Sequence, residues 1–310
     1  MTAFDISTAL EGDRLDRAVH RLLGEAGVAL GRADARRLVE QGRVRLDGRV
    51  ERRGSTRVRT GQSVAIDVDT RALADRRAAR AAQVELDAAA VLDREAGVVA
   101  VNKPAGLPSH ATRDPRRDHL EAAVGRLLDR LDGASGHTAR VVHRLDRDTT
   151  GVVLLAEDSA VHGPLTEAFR GRDVHKTYVA VCHDGGLPDA GTCNGRLDTR
   201  RDGTVVVVPR GGRSARTHWQ VLERVGGLAV VEARPETGRK HQIRAHLAHL
   251  GAPIVHDPRY GGAPASGSTR YQLHALRLVA SVPEIALALD VRAPWPTDFV
   301  RPAPDGFGTD

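Results

Sequence analysis

The chain has 310 residues, enough for about two domains, with 41% hydrophobic and 28% charged residues, a net charge of +6 and a pI near 9.9. No apolar run approaches the roughly 18 residues of a membrane helix, and the first residues lack the basic-then-apolar pattern of a secretory signal. Two cysteines, Cys182 and Cys193, make neither a disulfide framework nor a thiolate zinc site, so the expectation is a soluble, cytoplasmic protein in a reducing compartment.

Residues 14 to 68 read as a small domain. From Arg14 to Leu23, the residues Leu15, Val19, Leu22 and Leu23 fall on one helical face. Ala33 to Gln41 predicts a second short helix stopped by Gly42. Val44 to Leu46, the turn Asp47-Gly48 and Val50 predict a hairpin, and Val64, Ile66 and Val68 alternate as a last strand. Between Gly31 and Thr60 lie ten arginines, among them Arg36, Arg37, Arg43 and Arg45, opposed by Asp34, Glu40, Asp47 and Glu51. This window carries a net +6, so the remainder of the chain is close to neutral. A basic patch on a neutral body suits a phosphate backbone.

Residues 69 to 90 are rich in Ala, Arg and Asp and read as a linker. From Val91 the pattern changes. Val98 to Val101, Val152 to Leu155, Thr177 to Cys182, Thr204 to Val208 and Leu228 to Val231 are strand-like, and Leu120 to Leu131 and Lys240 to Leu250 are helical. Strands and helices mix without strict alternation, which predicts an α+β fold. The tail from Pro294 reads as irregular.

Two segments concentrate chemistry. The first, His143 to Gly151, is a polar loop between apolar strands, a common place to build a site. Asp146 lies there between Arg144 and Arg147, cations that favour a charged carboxylate able to serve as nucleophile or base. The second runs from Pro235 to Leu250. Thr237 is placed to cap a helix entered after Gly238, with Lys240, Arg244 and Leu247 on one face, an N-terminus suited to phosphate or carboxylate. His241, His246 and His249 are spaced by five and three, not by the four of a zinc pair on one helix, so no metal is expected. Lys103 and Tyr178 lie in shorter strand-like segments. There is no glycine-rich phosphate loop and no dinucleotide fingerprint. Arginine is the default cation: the chain has 43 arginines and only three lysines, Lys103, Lys176 and Lys240. Two readings of the exceptions stand at this point, a need for a compact ammonium on a flexible stem and chance.

These segments closely resemble the RluA-type RNA pseudouridine synthases. Four blocks match in family order: VNKPAGL from Val101, HRLDRDTTGVVLLA from His143, KTYVAV from Lys176, and TGRKHQIRAHLAHLGAPI from Thr237 followed by DPRYGG; Leu273-His274-Ala275 also fits. Residues 14 to 68 resemble the small α-L RNA-binding domain of ribosomal protein S-four. The resemblance implies a catalytic domain over residues 91 to 298, with a mixed, largely antiparallel sheet, a small α/β RNA-binding domain before it and an irregular tail at 299 to 310. It implies Asp146 as the catalytic aspartate, Arg244 as its basic partner, and Tyr178 as the tyrosine that packs on the target base and is proposed to take the C5 proton. It implies Leu273 in the pocket wall and Arg144 in the space left by the extruded base. Lys103 and Lys176 fall on family lysines; with His143 and Arg239, and with Arg36, Arg37, Arg43 and Arg45 in the small domain, they complete the expected substrate contacts. Departures are Thr150 for a usual serine, Lys240 for a usual threonine or serine, and His256 where glycine is common.

The implied activity is isomerisation of specific uridines in RNA, with rRNA as first expectation and tRNA as second. The base is flipped into a pocket, and Asp146 either attacks the ribose C1′ or acts through a glycal intermediate. No cofactor or metal is needed, and a monomer is the expected state. Two other readings are a non-catalytic RNA-binding or ribosome-assembly factor on the same fold, and an N-glycosidase that releases uracil.

Overall fold

A computed structural model describes residues 2–26, 28, 31–67, 83–112, 114, 117–171 and 173–301. Val68, most of the expected linker and the last nine residues of the tail lie outside them. The chain divides into two compact units, Met1–Ala82 and Gln83–Asp310.

In the first unit, strand β1 (Thr2–Asp5) leads to helices α1 (Leu15–Glu25) and α2 (Arg32–Glu40), then β2 (Val44–Leu46), β3 (Arg49–Val50) and β4 (Ser63–Ile66). Helix α1 buries Leu15, Ala18, Val19, Leu22 and Leu23, the i, i+3, i+4, i+7, i+8 stripe of a helix with one dry face. The β2–β3 turn places both Asp47 and Gly48 at positive φ, 49° and 76°, as a two-residue type I′ hairpin requires. The sheet order is β1-β4-β2-β3. The sequence reading starts this domain at residue 14, whereas β1 pairs with β4 along its whole length, Thr2 against Ile66 to Asp5 against Ser63. Four residues with little burial give no alternation to detect.

The second unit contains β5 (Val91–Glu95), β6 (Val98–Lys103), α3 (Leu120–Asp132), β7 (Arg140–Val141), β8 (Thr150–Ala156), α4 (Ser159–Gly171) and β9 (Val174–His183). It continues with β10 (Ala190–Cys193), β11 (Arg196–Thr199), β12 (Val205–Val208), β13 (Arg213–Ser214), β14 (Thr217–Val225) and β15 (Leu228–Pro235). Helix α5 (Gln242–His249), β16 (Leu273–Val282) and β17 (Leu287–Arg292) complete it. One large sheet runs β10-β14-β15-β9-β16-β8-β6-β5, with β17 on β16 and β7 on β8; β12-β11-β13 form a small second sheet. Only the β16–β8 contact is parallel among the described pairings, so the α+β, largely antiparallel expectation holds.

The continuous apolar runs of β6 and β8 follow from burial on both faces. Val99, Val101, Val153 and Leu155 pack with Leu120, Val124 and Leu127 of α3. Val98, Ala100, Val152 and Leu154 pack with Leu165 and Ala168 of α4 on the other side. Helix α4 was not expected, because Gly163 and Pro164 interrupt its pattern.

Two boundary expectations are corrected. Residues 83–90, read as the end of the linker, belong with the second unit: Leu86 is buried in its core, and the Val84 amide donates to Asp118 at 2.7 Å. Phe299, assigned to the tail, is buried among Val179, Val181 and Leu276, and neighbouring Asp298 binds Arg270 through two hydrogen bonds of 2.6 and 2.7 Å.

At the parallel contact, Gly151 has φ of 107°, and a Cβ there would lie 2.1 Å from the Ala275 carbonyl oxygen. Gly151→Ala is therefore expected to cost about 3 kcal/mol or more, from backbone strain plus a backbone clash. The denaturation midpoint measures it; an unchanged midpoint would show that β8 and β16 can separate freely.

Candidate active site

The loop from β7 to β8 carries Asp146, and its backbone is tied on several sides. Ser109 and Leu145 bond reciprocally, hydroxyl to carbonyl at 3.0 Å and amide to hydroxyl at 3.2 Å. The Thr149 amide donates to the Asp146 carbonyl at 3.1 Å, closing a turn. His143 accepts the Leu154 amide on Nε2 at 3.0 Å, and its ring stacks on Phe169 at 4.4 Å. Burial pushes its pKa down to about 3, which keeps the imidazole neutral and that nitrogen an acceptor.

Lys103 is the main correction. Expected to contact substrate, it is fully buried, and Nζ donates to the carbonyls of Pro104, Leu107 and Arg147 at 2.8 to 2.9 Å. Three acceptors exhaust an ammonium's three donors, so none remains for RNA. Lys103 instead pins the loop that carries Asp146 to the end of β6.

Arg244, on α5, faces that loop. Its Nη1 donates to Asp146 Oδ2 at 2.8 Å, while Nε and Nη2 grip both oxygens of Asp257 at 2.7 and 2.9 Å. Asp257 is fully buried. The guanidinium carbon lies 4.2 Å from the ring centre of Tyr271 and 5.0 Å from that of Tyr260, within cation–π range. Burial opposes the Arg244 charge, but the bonds to Asp257 and the nearby anionic groups outweigh it and raise its pKa. Arg244 is a fixed cation that offers Asp146 a single N–H and leaves Oδ1 uncovered.

Helix α5 starts later than expected. His241 adopts φ of 52° and the first helical residue is Gln242. Thr237 does not cap it; its hydroxyl donates to Gln242 Oε1 at 2.7 Å. Lys240 therefore lies outside the helix and does not share a face with Arg244; its ammonium reaches the Gly203 carbonyl at 3.3 Å. His241 Nδ1 lies 2.8 Å from the Tyr260 hydroxyl, with Nε2 at 3.8 Å from Asp146 Oδ1. His246 turns away, its Nδ1 2.9 Å from the Thr217 hydroxyl.

A cavity of about 620 Å³ opens onto this arrangement. Asp146, Tyr178, Arg244 and Leu273 line it, together with His143, Arg144, Lys176 and Arg239. Tyr178 stands on β9 and is almost fully buried. Burial and then the Asp146 charge push its pKa up, so the phenol is protonated at neutral pH. Arg36, Arg37, Arg43 and Arg45 are all exposed on the first unit. Three of them have carboxylate neighbours: Arg36 with Glu40 at 2.7 Å, Arg37 with Asp34 at 3.6 Å and Arg43 with Asp67 at 3.2 Å. Exposed pairs of this kind are weak and exchangeable for phosphate.

The sequence reading missed Asp257, Tyr260 and Tyr271. A usable signal existed: the chain has three tyrosines, and all three converge on this site. His256, in a glycine-favoured position of the matching block, has φ of 60°, so it adopts the left-handed backbone that glycine would supply.

The chain as a whole is similar to known proteins. A family model described as RNA pseudouridylate synthase matches residues 97–249, and an S4 domain model matches residues 14–64. The ribosomal large subunit pseudouridine synthase D of Xanthomonas campestris pv. campestris is 34% identical over 304 residues, 94% of this chain and 88% of that protein. The protein of the same name from Pseudomonas aeruginosa is 31% identical over 320 residues, 96% of this chain and 93% of that protein. The solved structure of human RNA pseudouridylate synthase domain containing 4 superposes with a TM-score of 0.57 at 30% identity, covering 68% of this chain and 90% of that one. Among the described residues no helix is long and apolar enough to cross a membrane.

Proposed function

The chain belongs to the RNA pseudouridylate synthase family and is an RNA pseudouridine synthase, and we propose that it isomerises specific uridines of large-subunit rRNA with Asp146 as the reacting carboxylate. The observation that carries this reading is the one-sided hold on Asp146, which lines a cavity of about 620 Å³: Arg244 donates to Oδ2 at 2.8 Å, while Oδ1 accepts no hydrogen bond among the described residues and has His241 Nε2 3.8 Å away.

A uridine inside a stack presents neither its anomeric carbon nor C5 to a side chain, so the nucleotide is flipped into the cavity. Tyr178 and Leu273 supply walls against which the base packs, and Arg144 fills the space it leaves. Asp146 then assists cleavage of the bond between C1′ and N1, by attack on C1′ or through a glycal. The freed base turns and rejoins C1′ through C5. N1 gains a proton and C5 loses one, so the product is an isomer and no redox partner is consumed. The Tyr178 phenol, held protonated, takes the C5 proton only by passing its own proton on. Arg36, Arg37, Arg43 and Arg45 grip RNA phosphates from the first unit. The rRNA assignment draws on the names of the two bacterial relatives.

The test is tritium release. RNA labelled at uridine C5, taken from cells lacking this protein, is incubated with the purified chain. Release to water, followed by mapping of the modified position to large-subunit rRNA, is the expected result. Release from tRNA alone would move the substrate. Salt-sensitive binding with no release from any RNA would favour the binding-factor reading.

A further inference from the structure

The three lysines have three different fates. Lys103 is saturated by carbonyls, and Lys240 is exposed with its ammonium on a loop carbonyl. Lys176 lies in the cavity wall and has no hydrogen-bond or ion-pair partner among the described residues; its ammonium sits 5.9 Å from the centre of the Phe169 ring. Burial pushes its pKa down. Its neighbour His143 is neutral. The wall's carboxylates are already engaged, Asp146 by Arg244 and Glu236 by Arg216 and His218. One turn before Phe169, Thr166 also lines the cavity, with its hydroxyl buried and without a partner.

Lys176 is half-buried, and a half-buried cation with no counter-charge is costly to keep, less so where a ligand supplies the anion. We propose that Lys176 is the seat of a backbone phosphodiester of the RNA strand, beside the extruded nucleotide. This rests on the synthase reading of the cavity. Lys176 precedes Tyr178 by two residues on β9, so both side chains leave the same face about 7 Å apart, a separation suited to a base at Tyr178 and a phosphate at Lys176. A full anion matches the bare ammonium better than the partial charge of a uracil carbonyl. A compact ammonium stretched over Phe169 also explains a lysine in a chain that otherwise uses arginine.

The experiment compares wild type, Lys176→Met and Lys176→Arg in tritium release from the same C5-labelled RNA, and in filter binding of that RNA over a salt series. For Lys176→Met, KM is expected to rise about tenfold while the limiting rate falls less than about threefold. The plot of log affinity against log salt should become shallower by about 0.7, one phosphate contact to single-stranded RNA. Lys176→Arg should retain the wild-type salt slope. The methionine variant should melt at or above the wild-type temperature, because it loses a half-buried charge that has no ion-pair partner among the described residues. A drop in limiting rate with KM and salt slope unchanged would place Lys176 on the base and overturn the proposal. So would a lowered melting temperature restored by arginine, or no change in any readout. If wild type releases no tritium, the synthase reading fails, and the salt slopes of wild type and Lys176→Met still decide the phosphate contact.

Discussion

Asp146→Asn is expected to lower tritium release by about four orders of magnitude or more while RNA affinity stays within about threefold of wild type. The substitution keeps the shape and an oxygen that accepts from Arg244 Nη1, so the loop keeps its place. In the proposed mechanism it removes the anionic oxygen that attacks C1′ or assists glycal formation. Stability should change by less than about 1 kcal/mol, the worth of one altered hydrogen bond, because Arg244 remains paired with Asp257 through two bonds. In the proposed mode phosphate contacts carry most of the affinity and do not involve this carboxylate, so binding is expected to survive. Residual release above about one per cent of wild type would remove Asp146 from the reacting position. Release of free uracil by the wild type would instead favour the glycosidase reading.

The sequence made legible what is local and repetitive. Apolar runs such as Val98 to Val101 and Val152 to Leu155 can only be satisfied by burial on both sides, and they form β6 and β8 in the middle of the large sheet. The α1 stripe and the Asp47-Gly48 turn are similar cases. What failed was either too short or internally contradictory. Strand β1 has four residues, and α4 carries Pro164. The start of α5 was misplaced because a threonine before a helical pattern is an ordinary cap signal, whereas here His241 takes a left-handed backbone that a residue pattern does not announce.

The site divides the same way. Residue type and position singled out Asp146 as chemically capable, and the matching blocks gave Asp146, Arg244 and Tyr178 their roles. Residue type did not reveal direction. Lys103 and Lys176 stand in equally suggestive segments, yet one ammonium is folded back onto three carbonyls, while the other residue lines the cavity with its ammonium 5.9 Å from the Phe169 ring centre. Asp257 comes 13 residues after Arg244, separated from it by the end of α5 and a loop, and only the folded chain brings its carboxylate under the guanidinium.

That carboxylate carries the second large effect. Asp257→Asn is expected to destabilise the protein by roughly 3 kcal/mol, because a buried arginine loses its principal counter-charge. It should also slow turnover about a hundredfold under conditions where the variant is still folded, the scale of a small misplacement in a reacting group. The two losses have separable causes. In the wild type, Asp257 consumes Nε and Nη2, and only Nη1 is left for Asp146. With asparagine at 257 the guanidinium fork is free to turn both of its ends onto Asp146, covering the oxygen that meets the ribose in the proposed mechanism. The carboxylate would be held more tightly and made less useful. Chemical denaturation measures the first loss, and single-turnover tritium release at a temperature below the variant's transition measures the second. In an Asp146→Asn background the stability loss should persist, while the rate has nothing further to lose. A destabilised Asp257→Asn protein with wild-type turnover would show that Arg244 finds its orientation without Asp257, and would reduce Asp257 to a counter-ion.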